Sequence, residues 1–250
     1  MNDNKLITFI SLPRSGTNYI FNNLLRKIVE FNNNLEIYAL NTLKTCINTK
    51  YYFNDLEKKE PFEIIIYLMN QSKEKYVIHK IFPHMFIENN KSYDQHKLIE
   101  LINFSNYFIF IKRNLLDVFI SEKKTHITKK WIRIDTSDIK IHFDIDEFNN
   151  YTNNYKEWFR YTKQKCMELE KPFIIIDYDE LMTIEHDNDR IFHIVTKMKC
   201  IIKDELTIND KNFNFMTKQD NAESYEDKIE NYEEVKDFIS NKDNFINDIV

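Results

Sequence analysis

Short runs of apolar, β-branched residues alternate along this chain with longer stretches whose apolar positions recur every three or four residues. Residues 6–10 are a short, almost wholly apolar run of the kind a buried parallel strand shows. Residues 17–29 follow with apolar side chains at 20, 21, 24, 25, 28 and 29, which predicts a helix. Pro61 opens a predicted helix over 62–71, and 76–82, closed by Pro83, reads as the second core strand. An amphipathic helix over 94–104 leads to an apolar strand at 107–111, and a helix over 115–126 follows it. Residues 146–170 are long, partly helical and carry Trp158 and Phe159; 172–178 reads as a fourth parallel strand and 186–198 as a helix. Residues 35–40 fit a strand or an irregular connection, 41–61 have no clear assignment, 204–224 read as irregular and 225–239 as an acidic helix. Strands alternating with helices predict an α/β fold, a central parallel β-sheet flanked by helices. No linker, repeat or low-complexity tract divides the chain, so residues 1–250 are expected to form a single domain. Ligands of such sheets sit at the carboxyl ends of the strands, which places Arg14, Pro83 and its neighbours, Arg113 and Tyr178 on one rim.

Composition narrows the function classes. Hydrophobic residues make up 42%, enough for a substantial core, and the net charge of −5 argues against a dedicated nucleic-acid or membrane-surface binder. Cys46, Cys166 and Cys200 are scattered, odd in number and in no C-x-x-C pattern, so they read as reduced thiols, not as a disulfide frame or zinc site. No stretch approaches the ~18 apolar residues of a membrane helix, and the first residues lead straight into a core strand. A cytoplasmic protein without signal peptide or anchor is the expectation.

The candidate chemistry begins at Gly16, the single glycine of the chain. It stands between the first strand and the first helix, in Leu12-Pro13-Arg14-Ser15-Gly16-Thr17-Asn18-Tyr19. A helix start carries unpaired N–H groups and partial positive charge, and a glycine beside small hydroxyl residues lets an anion approach them. Arg14 adds a full charge at the mouth of that site. The Walker phosphate loop does not fit, because its first glycine and its lysine are missing, and the three-glycine dinucleotide pattern fails too. The segment Pro13-Arg14-Ser15-Gly16-Thr17-Asn18 resembles the 5′-phosphosulfate loop of sulfotransferases that use 3′-phosphoadenosine 5′-phosphosulfate (PAPS). Directly after the third predicted strand, Arg113-Asn114-Leu115-Leu116-Asp117-Val118-Phe119-Ile120-Ser121 is similar to the same family's 3′-phosphate segment, R-N-x-x-D-V-x-x-S. Tyr178-Asp179-Glu180-Leu181 resembles its Y-E-D-L stretch, and Lys218-Gln219 with 229–235 resembles the tail of bacterial and viral-type members. Leu115 departs from the proline common after R-N, and the glycine-rich tail of the animal cytosolic enzymes is missing.

The resemblance implies a P-loop NTPase-like sulfotransferase fold and metal-independent, in-line transfer of a sulfonate group from PAPS to a hydroxyl or amine, leaving adenosine 3′,5′-bisphosphate. Arg14, Ser15, Gly16, Thr17 and Asn18 would then hold the 5′-phosphosulfate, and Arg113 and Ser121 the 3′-phosphate. Tyr178 would line the nucleotide site, Lys218 would stand in for the missing tail, and Tyr19 would lie against adenine or fill the core. Arg14 and Lys80 would stabilise developing charge. The base that deprotonates the acceptor is expected near the rim, and Phe82 stands where the animal enzymes carry histidine. His84 is the first choice, His79 a weaker one, and Glu88 and Glu122 stay open. The acceptor, whether small molecule, glycan or peptide, and the oligomeric state are not legible. The basic residues Lys123, Lys124, Lys129, Lys130 and Arg133 form either a solvated helix face or an attractant for an acidic acceptor. A nucleotide-dependent kinase of related architecture and a non-catalytic nucleotide-binding protein are the alternatives.

Overall fold

The computed structural model describes residues 4–32, 61–86, 95–130, 135–209, 222 and 224–241, with backbone alone at 61–64, 68, 84 and 85. Five strands, β1 (Lys5–Ile10), β2 (Phe31–Asn32), β3 (Tyr76–Ile81), β4 (Tyr107–Lys112) and β5 (Phe173–Asp177), form one parallel sheet ordered β2-β3-β1-β4-β5. The helices are α1 (Thr17–Tyr19), α2 (Pro61–Gln71), α3 (Gln95–Phe104), α4 (Leu115–Thr128), α5 (Ile145–Glu168), α6 (Tyr178–Thr183), α7 (Asp187–Met198) and α8 (Tyr232–Ser240). This is the expected α/β architecture. Alternation along β1 builds two apolar layers: Leu6 and Ile10 pack with Ile65 of α2, Leu98 of α3 and Trp158 and Phe159 of α5. Ile7 and Phe9 point to the other face, against Ile20, Phe21 and Leu24 and against Ile191, Ile194 and Met198 of α7. Each fully buried side chain of this size contributes roughly 1.5–3 kcal/mol. Trp158 and Phe159 are therefore core residues, Trp158 stacking on Phe86 with ring centroids 5.5 Å apart. A third cluster joins the far side of α4 to Phe143, Phe148 and α8.

Three expectations change. Over 17–29 the chain is not one uniform helix: α1 passes into a π-helical turn at Ile20–Leu24 and a 3-10 turn at Leu25–Lys27, and Ile28 is extended. There Ile28 bridges Ile208, Val29 N–H donates to Thr207 O at 3.0 Å and Asn209 N–H to Lys27 O at 2.7 Å. Backbone pairing overrides the apolar period, and Val29 ends 55% exposed. The helix expected over 225–239 starts only at Tyr232, because Ile229 bridges Ile141 and the Asn231 side chain bonds the Phe143 backbone in both directions. Finally, β5 runs directly into α6, whose first amides, those of Asp179 and Glu180, donate to the Asp177 carboxylate at 3.0 and 3.1 Å. Residues 35–60 lie outside the described residues. Among the described residues no helix is long and apolar enough to cross a membrane.

Candidate anion-binding site

The chain goes from β1 out to β3 on one side and returns to β4 on the other, so β1 is the point where the strand order reverses. Open α/β sheets bind ligands outside the carboxyl ends of their strands at such a point. The loop that leaves β1 there is held by Ser15, whose amide and hydroxyl both donate to Leu12 O, at 3.3 and 2.6 Å. Ser15 closes the turn from within and is buried. Two residues of the loop are left-handed, Arg14 (φ +66°) and Gly16 (φ +79°). Gly16 is required twice over. Besides its φ, a Cβ there would lie 2.0 Å from Cε2 of Tyr178, so the phenol ring rests directly on the glycine backbone. The sequence-based reason for Gly16, room for an anion, is thus joined by a packing reason that came from 178.

Two guanidinium groups meet at this loop. Arg14 Nε donates to Ser121 Oγ on α4 at 3.1 Å, and Arg113 Nη1, from the end of β4, donates to the Arg14 carbonyl at 2.6 Å. The Arg113 guanidinium lies over the Tyr178 ring, 4.8 Å from its centroid. Burial and the neighbouring Arg113 charge push the Arg14 guanidinium below its ordinary pKa, and Glu122 opposes them. Arg113 Nε is buried and has no hydrogen-bond acceptor; the Asp179 carboxylate stands 4.0 Å away, close enough to balance charge but beyond hydrogen-bond reach. Ser11 Oγ, buried at the root of the loop, is likewise without a hydrogen-bond partner.

Lys80, fully buried, stands next to Phe9 in the sheet register, between the rings of Phe21 and Phe82 at 5.4 and 5.7 Å. Its Nζ donates to Oδ1 of Asn18 at 2.5 Å. The expected site residues Arg14, Asn18, Lys80, Arg113, Ser121 and Tyr178 are therefore brought together, with Thr17 buried at the start of α1. Tyr19 is not. Its hydroxyl bonds the Asp187 carboxylate and accepts from Arg190 Nη1 at 2.6 Å, tying α1 to the start of α7, and burial with the Asp187 bond pushes the phenol up to about 12. His79 falls on the opposite sheet face from Lys80, as strand alternation requires. Its Nε2 pairs with Thr8 Oγ1 at 2.8 Å, Thr8 with Ser105 Oγ at 2.6 Å, and Ser105 donates to Leu101 O at 2.8 Å. Burial lowers this imidazole to about 3, so it is neutral and enclosed, which removes it as the rim base. Glu122 is nearly buried on α4, accepts from Tyr151 at 2.9 Å and faces His126 at 3.8 Å; burial raises its pKa. The His84 side chain, Glu88, Arg133 and Lys218 lie outside the described residues.

Parts of the R-N-x-x-D-V-x-x-S segment have plain helix-forming duties. Asn114 is the N-cap of α4, its side chain accepting from Leu116 N–H at 2.9 Å, and Asp117 occupies the first turn, where it faces Lys228 at 3.7 Å. Sequence reasoning named Asp179 only within the Tyr178–Leu181 stretch, without a role, and missed Ser11 and the Tyr19–Asp187–Arg190 tie. An Asp opening a helix signals only the cap, and nothing local marks the other contacts. The basic cluster does not form one surface: Lys123 pairs with Glu147, while Lys124 is buried and donates to Thr136 O at 3.0 Å. Among the described residues no group of His, Cys, Asp or Glu is arranged to hold a metal. Compared with known proteins, the chain matches no family model, and no curated protein resembles it significantly in sequence.

Proposed function

We propose that the chain is a sulfotransferase that binds PAPS at this rim and passes its sulfonate to a hydroxyl or amine acceptor. The observation that supports it most is the meeting of Arg14 and Arg113, residues from the two segments expected to hold the two ends of the nucleotide, with a buried Arg113 Nε that has no acceptor. Two half-buried like charges and an orphaned cationic N–H are unfavourable by themselves, and a nucleotide with anionic groups at its 3′ and 5′ positions would relieve both. When bound, that nucleotide supplies a sulfonate whose sulfur is attacked by the acceptor oxygen or nitrogen as its bond to the 5′-phosphate oxygen breaks. Arg14 and Lys80 face the charge that collects on that phosphate, as positioned cations do in phosphoryl transfer. Arg113 and Ser121 read the 3′-phosphate. His84, just past β3, is the proposed acceptor base, and Glu122, a carboxylate within the field of Arg14, is the alternative.

Calorimetric titration with adenosine 3′,5′-bisphosphate, adenosine 5′-monophosphate and ATP with magnesium tests the binding half. The bisphosphate should bind at least tenfold more tightly than the monophosphate, the worth of about one charge-assisted hydrogen bond. Equal affinities would remove the 3′-phosphate assignment, and a preference for ATP with magnesium would favour a kinase. Turnover of labelled PAPS over a panel of phenol, sugar, amine and tyrosyl-peptide acceptors tests the transfer half. His84→Ala should then lower kcat by ~10²–10⁴-fold at nearly constant donor affinity.

A further inference from the structure

Lys80 is a fully buried cation at the rim, and one of its partners is a side chain of the loop. Its stem runs through the apolar layer between Phe21 and Phe82, where the ring faces attract the ammonium but do not fix its height above the sheet. The hydrogen bond to Asn18 Oδ1 at 2.5 Å is directional and comes from the second residue of α1, on the loop itself. Asn18 entered the sequence reasoning only as a donor to the 5′-phosphate. The observed contact uses the opposite end of its carboxamide, the acceptor oxygen. A hydroxyl side chain at 18 would be shorter, and an apolar one would leave the ammonium without this acceptor in a closed apolar layer.

We infer that Asn18 is the positioning residue of Lys80. Its side-chain oxygen holds the ammonium against the underside of the phosphate loop before any nucleotide arrives, so that loop and cation move as one unit. This rests on the sulfotransferase reading above, and it adds a division of labour within the loop: Arg14 supplies charge, Asn18 places the charge that β3 supplies.

A double-mutant cycle on PAPS affinity tests it. Asn18→Leu, nearly isosteric and without the acceptor, should weaken PAPS binding about tenfold, and Lys80→Met by a similar factor. The double variant should be no weaker than Lys80→Met alone, because both changes remove one interaction. A merely structural Asn18 would lower the melting temperature without that coupling. Should leucine not be accommodated, Asn18→Ala closes the same cycle. Losses that multiply to about a hundredfold in the double variant, or an Asn18→Leu affinity within twofold of the parent, would overturn the inference while leaving the sulfotransferase reading intact. A parent protein that binds neither PAPS nor adenosine 3′,5′-bisphosphate would overturn both.

Discussion

Arg190, in the first turn of α7, and Arg113, just past the end of β4, both bond to the segment that follows β1, at Tyr19 and Arg14, and their surroundings differ in kind. The Arg190 guanidinium meets the Asp187 carboxylate at 2.9 Å, the Tyr19 hydroxyl at 2.6 Å and the Ile184 carbonyl at 2.7 Å, so its charge is balanced and its donors are engaged. Arg113 has one carbonyl at 2.6 Å, an aromatic face, a carboxylate at 4.0 Å and a second guanidinium as neighbour, with its Nε unsatisfied. The first arginine completes a structure; the second is short of partners that an anionic ligand would supply. Lys80 and His79 repeat the contrast on adjacent residues of one strand. His79 ends a closed hydrogen-bond chain that terminates on a backbone carbonyl, while Lys80 is bonded to a loop side chain on the face where the rim lies. Burial of a charged or titratable group does not by itself mark a site, since His79 and Lys80 are both buried and differ in what they bond.

The largest test acts on the loop that both arginines flank. Gly16→Val should destabilise the fold by more than ~3 kcal/mol, from a left-handed backbone and from overlap with the Tyr178 ring. Denaturant titration should show that Tyr178→Ala rescues the steric part in the Gly16→Ala background; no rescue would mean that the ring does not rest on the glycine. Next comes the arginine pair. Arg113→Met should lower affinity for adenosine 3′,5′-bisphosphate by about 1.5–3 kcal/mol while leaving unliganded stability unchanged or raised. Arg190→Met should do the reverse, lowering stability by a similar amount through the abandoned Asp187 and Tyr19. If both variants lose stability equally, the distinction between the two corners collapses.

The contrast on β3 has a pH signature. Below the ordinary histidine value of 6.5 the unfolded chain takes up a proton at His79 that the native protein, at about 3, refuses. Stability therefore falls as pH drops from 6.5 towards 3, by about 1 kcal/mol between pH 6 and pH 5. His79→Gln should flatten that part of the acid limb, and an unchanged limb would show that His79 is not enclosed. The smallest effect is expected at Lys123, whose pairing with Glu147 is solvent-exposed. Lys123→Ala should change stability by less than ~1 kcal/mol and leave nucleotide affinity within twofold. A larger drop in affinity would return the basic cluster to the site.

The amino-acid sequence by itself determined the parallel α/β alternation, since runs such as 107–111 and periods such as 186–198 depend on neighbours a few residues away. It also determined that Gly16 stands between a strand and a helix, that Arg113 lies where a strand gives way to a helix, and that His79 and Lys80 point to opposite faces. Only the tertiary structure decided which of those faces belongs to the rim, because that follows from the strand order around β1. It alone separated Arg113 from Arg190, whose decisive partners include Arg14, 99 residues away, and Tyr19, 171 residues away. Where backbone pairing between distant segments competed with a local period, as at Ile28 with Ile208 and Ile229 with Ile141, the local pattern lost. Helical and strand periods reflect interactions within a few residues of chain, whereas the charge balance of an arginine and the space beside a glycine depend on what long-range packing brings against them.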